Sequence, residues 1–249
     1  MLKAFTYMFK DFDWKNDLLP LWIMIFVAEF IINFAGLFSP FALSGKTTPL
    51  FYIILCIGFI LTFIPCGYGM ESLKSYLSAS DKFQLAEINI GKNFIKGLKF
   101  MLAFSFYGIS LLIILLLLGF LNKLFLNMHI TPLSFIVVSF SCLILIISDF
   151  LLIAATCKFA KSNSLLSFLR LPSLYNIINA NVGKYFIGFI LFSILMGIFC
   201  LIRVILLSLL IQKGFFLMLI YSVLISIIST YTALVFLYIF KNSVNSDSV

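Results

Sequence analysis

The 249 residues are 63% hydrophobic and 10% charged, with a mean hydropathy of +1.19. That is more apolar surface than a soluble core can hide, so lipid is the solvent for most of the chain. Seventeen Lys and Arg against nine Asp and Glu would suit a nucleic-acid binder, but the cations flank apolar runs and form no basic domain, which excludes nucleic acid as the partner.

In chain order, residues 1–17 come first. Leu2, Phe5, Phe9 and Phe12 recur at helical spacing, while Lys3, Lys10, Asp11 and Asp13 fall mostly elsewhere on the wheel. This predicts an amphipathic entry helix on the inner membrane face, with Trp14 in the headgroup layer. The segment does not read as a cleaved signal peptide, because the apolar run behind it starts late and carries Glu29.

Six apolar runs can each cross a core of roughly 30 Å: Leu18 to Leu37, Leu50 to Met70, Phe100 to Leu121, Leu133 to Cys157, Phe186 to Ile211 and Phe215 to Phe240. Lipid cannot satisfy an open strand edge, so helix is the consistent reading. The fold class is an all-α polytopic bundle, a single membrane domain of three hairpins, 18–70, 100–157 and 185–240. Cytoplasmic segments 71–99 and 158–184 and a tail, 241–249, complete it.

With the amino terminus inside, thirteen cations lie in inner segments and three, Lys46, Lys123 and Lys213, in outer loops. That asymmetry predicts a multi-pass cell-membrane protein with both termini cytoplasmic. Lys92, Lys96, Lys99 and Lys184 then join Trp14 as expected membrane-surface contacts.

Both long inner segments read as broken surface helices. In 71–99, Leu73, Tyr76 and Leu77 are followed by a Ser80-Asp81 break; in 158–184, Ser164 is a candidate cap, Pro172 a stop and Ser173 a second cap. The two end alike, as Asn89-Ile90-Gly91-Lys92-Asn93-Phe94-Ile95 and Asn181-Val182-Gly183-Lys184-Tyr185-Phe186-Ile187. This points to an internal repeat, although helix stop, headgroup anchor and span start could also arise twice independently.

Three ionisable residues fall inside spans: Glu29, Asp149 and Arg203. Each costs about 2.5–3.5 kcal/mol to insert and needs a reason to be there. At 1.5 Å per residue from the inner ends, they lie about 17, 12 and 26 Å deep, which makes Glu29 the better partner for Arg203. Either Glu29 and Arg203, with Asp149, line a polar intramembrane cavity that binds a solute, ion or lipid headgroup or relays protons, or Glu29 and Arg203 form a structural pair, or Arg203 snorkels outward and Asp149 inward. Pro65, Gly67 and Gly69 interrupt the second span and read as a kink or helix exit; Gly188 and Gly197 read as points of close helix contact.

The five cysteines all sit in apolar runs and read as small hydrophobes. With one histidine, His129, and no C-x-x-C, no metal site, cofactor or catalytic residue is expected, and the reading leans away from an enzyme.

Phe9-Lys10-Asp11-Phe12-Asp13-Trp14, Gly67-Tyr68, the stretch Gly91 to Lys99 with Phe94, Gly97 and Leu98, then Phe159-Ala160, Phe168 and Gly183-Lys184-Tyr185 resemble in order an uncharacterised prokaryotic membrane family, domain of unknown function 4013. Ala86 and Ile88 stand where that family usually shows Pro and Trp. The resemblance implies architecture over nearly the whole chain and brings no activity. The expected function is a non-enzymatic scaffold, accessory or lipid-organising component, with membrane lipids and a cytoplasmic protein as partners. The alternative is a small-solute or ion transporter or channel with its polar site at Glu29 and Arg203, and a membrane-embedded enzyme ranks last.

Overall fold

The structure, a computed structural model, describes residues 18–36, 49–78, 86–180, 182–210 and 215–244. They form α1 (Leu19–Gly36), α2 (Pro49–Leu61), α3 (Phe63–Ser78), α4 (Ile90–Asn127), α5 (Thr131–Ser162), a 3-10 turn (Leu165–Phe168), α6 (Leu171–Asn179), α7 (Val182–Leu210) and α8 (Phe215–Ser243). The described residues contain no strand, and the chain is an all-α polytopic bundle. Five helical stretches are long and apolar enough to cross a membrane: α2 with α3, then α4, α5, α7 and α8. The first run gives the shorter α1, of 18 residues. The expected entry helix with Trp14 lies outside the described residues, as do Lys46 and Lys213.

The helices run past the apolar windows that define them. α4 has 38 residues, so at 1.5 Å per residue it is about 57 Å long and outlasts a core of about 30 Å. The stretch read as a broken surface helix from Glu71 is, as far as Ser78, a straight continuation of α3. Leu73, Tyr76 and Leu77 are buried against the bundle, because protein packing covers the apolar face that a surface helix would have given to lipid.

Pro65 does not end its helix. The chain breaks step at Thr62, between α2 and α3, and continues for another 16 residues. Proline lacks an N–H and crowds the carbonyl four residues earlier, which here is Leu61, the last residue of α2. Thr62 takes up the slack: its amide donates to the carbonyls of Gly58 and Phe59, and its hydroxyl to Phe59 at 2.6 Å.

Gly67 has a separate task. A Cβ there would fall on the backbone carbonyl of Asn93, and a Cβ on Gly97 would fall on that of Phe63. α3 and α4 therefore cross with their backbones in contact, which only glycine permits. At Gly188 of α7 the absent Cβ makes room for the Ser243 side chain of α8, whereas Gly197 faces open space and supports no contact within the described chain.

α8 is the centre of the bundle. Half of its most apolar window is buried, against at most 17% in the other four spans. It packs on α1, α7, α3 and α5, and its inward face carries the buried hydroxyls of Ser222, Ser226, Thr230 and Thr232. By contrast α4 shows Leu112, Ile113, Leu116, Leu117 and Phe120 on its surface, a face suited to lipid.

In the segment after α5, Asn163 closes the helix in the left-handed region at φ 51°, a conformation asparagine tolerates. Ser164 precedes the 3-10 turn without a side-chain cap bond. Pro172 begins α6 where a stop was expected, since a first-turn residue needs no N–H partner. Ser173 lies inside α6 with its hydroxyl buried and unpartnered, and Leu174 and Ile177 dock into the core.

Replacing Gly67 or Gly97 by alanine should lower stability by about 1–3 kcal/mol through overpacking. The same change at Gly108 or Gly119, where the space is open, should be neutral or gain up to about 1 kcal/mol from helix propensity. Thermal unfolding of the four variants in detergent separates the two classes.

Candidate functional site

Ionisable and amide groups in an apolar helix are tolerated where each finds a partner. Such groups converge where α1, α7 and α8 meet. Arg203 of α7 donates to the Glu29 carboxylate of α1 at 3.0 Å, with the Glu29 side chain 14% exposed and that of Arg203 39%. The 9 Å depth difference expected from residue counting is closed by the reach of both side chains. One helical turn along α1, the Asn33 amide donates to the Ser222 hydroxyl at 3.1 Å, and toward the other end the Trp22 indole N–H donates to Ser226 at 2.9 Å.

The two serines are doubly used. Ser222 and Ser226 accept from α1 and donate backward to the carbonyls of Met218 and Val223 in their own helix. A small hydroxyl on a central helix thus joins two helices and leaves no donor idle. The Tyr221 hydroxyl is fully buried beside Arg203, whose guanidinium is its hydrogen-bonding neighbour, and close to Glu29.

Asp149 is not part of this group. Its residue on α5 is exposed, and no ion pair reaches it among the described residues. Its neighbour Ser148 is buried and takes the Tyr107 hydroxyl, 2.8 Å from its carbonyl and 3.0 Å from its Oγ, which ties α4 to α5.

A second charged cluster closes one end of the bundle. Glu71 of α3 holds Lys92 at 2.8 Å through one oxygen and Lys96 at 2.6 Å through the other. Lys96 is only 5% exposed. Its other N–H groups reach the carbonyls of Met70 at 3.4 Å and Ala160 at 3.3 Å, so one buried ammonium fills its three donor positions from α3 and α5. Lys92 stays exposed and Lys99 half-buried, while Lys184 is exposed without an acidic partner among the described residues.

Tyr185, in the first turn of α7, is fully buried. Its hydroxyl accepts from the Ala154 amide at 2.9 Å and donates to the Phe150 carbonyl. Residues 150 and 154 are the pair that a regular helix joins directly, so the hydroxyl is interposed in the α5 ladder. In the sequence Tyr185 stands out only as part of a motif. Its signal was a tyrosine directly behind Gly-Lys at a span entrance, repeated in register with another polar residue, Asn93.

Chemically, these groups can carry hydrogen bonds and charge between helices. No cluster of three or more His, Cys, Asp or Glu side chains that could hold a metal ion occurs among the described residues.

Tyr185→Phe should cost about 1–3 kcal/mol, because two buried backbone groups lose their shared partner. A urea or thermal titration in detergent would measure it, and hydrogen exchange should quicken at Ala154 before the rest of α5.

No curated protein and no solved structure matches the chain. A protein family of unknown function, DUF4013, matches residues 50–211. The match takes in the α3–α4 crossing, the Glu71–Lys96 cluster and Tyr185, and leaves the Phe9 to Trp14 motif and α8 outside it. More than half of the chain is covered, and the protein belongs to the DUF4013 family.

Proposed function

We propose that this protein is a non-enzymatic membrane component, a scaffold or lipid-organising subunit, whose basic end faces the cytoplasm and gathers anionic headgroups. The observation that carries this reading is the division of charge. Glu29 and Arg203 are spent on each other inside the bundle, while Lys74, Lys92, Lys99, Lys158, Lys161, Arg170, Lys184 and Lys241 gather at one end of the described helices. Contacts between Lys96 and Ala160, Gly188 and Ser243, and Lys241 and Tyr76 bring those helix termini together. Of the described Lys and Arg, only Lys123 and the paired Arg203 lie toward the opposite end.

A cation near an anionic leaflet contributes about 1 kcal/mol, so the cluster supports retention of lipid without any single built pocket. A cytoplasmic protein with an acidic surface would meet the same charges. Passage of a solute or ion at Glu29 and Arg203 is a second reading, favoured by the gathering of both charges and the buried Tyr221 hydroxyl in one place. It predicts flux in vesicles that is lost in Glu29→Gln.

Changing Lys74, Lys99 and Arg170 together to Gln spares every ion pair described above. On the first reading, the amount of anionic phospholipid that co-purifies should fall by about tenfold or more, up to about 100-fold for three additive contacts. Raised salt should mimic the loss in the unaltered protein.

A further inference from the structure

The outer seam between α7 and α8 holds a slot of about 450 Å³. Its α7 wall is a single helical stripe, Lys184, Ile187, Leu191, Ile194 and Ile198, at spacings of three and four residues; Val235, Tyr238 and Asn242 line the α8 side. Ile187, Ile194 and Ile198 are exposed, while Leu191 and Leu195 are half-buried at its floor. The core-facing side of the same helices is filled by Phe192, Phe236 and Phe240, with ring centroids 4.8–6.2 Å apart. The slot is therefore a surface groove, open on the side away from the core.

Its shape and lining suit a lipid. From Lys184 to Ile198 is about 21 Å of helix, enough for a headgroup contact and one acyl chain in a leaflet about 15 Å deep. The slot also carries its charge at one end only. Lys184, in the first turn of α7, and Asn242, in the last turn of α8, stand at its mouth, and isoleucines, leucines, Val235 and the Tyr238 ring line most of the remainder. No carboxylate pairs with Lys184 among the described residues, and the amino-terminal end of α7 adds its own partial positive charge there.

We infer that this slot is a binding site for one anionic glycerophospholipid, with its phosphate at Lys184 and one acyl chain laid along Leu191, Ile194 and Ile198. The inference deepens the lipid-organising reading by adding one ordered lipid to a diffuse basic surface, and it rests on that reading for the direction in which the basic end faces. Close packing of Gly188 on Ser243 holds the two walls together beside the headgroup end, so the groove is preformed.

The test uses the full chain in phosphatidylcholine vesicles with a trace of phosphatidylglycerol whose acyl chain bears a photoactivatable diazirine. A phosphatidylcholine probe with the same chain is the comparison. Peptide mapping should find the anionic probe on Leu191 to Ile198 about fivefold more than on Ile113 to Leu117 of α4, although the α4 stretch is the more exposed. Lys184→Gln should shrink the anionic preference, and Ile194→Trp, which fills the slot, should abolish the α7 excess.

Equal labelling of α4 and α7 by both probes would overturn the site, and so would an α7 excess that survives Ile194→Trp. The comparison of the two headgroups on the unaltered protein needs no variant to fold. If labelling is equal while lipid retention still depends on Lys74, Lys99 and Arg170, the slot fails and the proposed function stands. If the slot is labelled but retention ignores those three residues, the slot stands and the broader reading fails.

Discussion

Hydrocarbon gives an apolar helix no reason to leave lipid for a neighbouring helix, so the bundle depends on contacts that lipid cannot imitate. Two kinds are present. Backbones meet directly where Gly67 of α3 crosses Gly97 of α4, and the Ser243 side chain of α8 packs onto the bare backbone of α7 at Gly188. Polar groups also find partners only inside protein: Glu29 with Arg203, Asn33 with Ser222, Lys96 with Glu71, and Tyr185 with the α5 backbone. α8, with its row of hydroxyls, is the element on which most of these lines converge.

The two motif-bearing helices show how one local design serves different ends. α4 begins at Ile90 and α7 at Val182, each at the same step of its Asn-Ile/Val-Gly-Lys sequence. Asn89 caps α4 by accepting the Lys92 amide at 3.0 Å, which gives the asparagine a physical purpose; Asn181 lies outside the described residues. Four residues into each motif after the first Asn, a polar residue is buried, Asn93 in one case and Tyr185 in the other. Asn93 sits at the glycine crossing with its amide unpartnered, while Tyr185 reaches into α5. Shared placement with different side chains is compatible with an internal repeat and equally with the common needs of a span entrance.

Composition and hydropathy made the helical membrane class legible, because twenty apolar residues in a row have few other fates. The pairing of Glu29 with Arg203 was also within reach, since an isolated intramembrane charge is costly enough to demand a partner and depth alone narrowed the choice. Helix ends were less legible. Glu71 to Ser78 resembles a surface helix in sequence, and only the presence of α5 and α8 beside it decides that Leu73 and Tyr76 are covered by protein. Pro172 was read as a stop because proline breaks helices, although its missing N–H suits a first turn equally well. Ser222 and Ser226 carried no signal against a background of apolar residues: a serine within a span becomes a contact only when a partner helix presents Asn33 or Trp22.

If polar partners hold these helices together, exchanging the charges of one pair should preserve the contact that either reversal alone destroys. Glu29→Arg and Arg203→Glu should each lower thermal stability in detergent, and the double exchange should recover about 1–3 kcal/mol of that loss. A double variant no more stable than the worse single one would contradict the account.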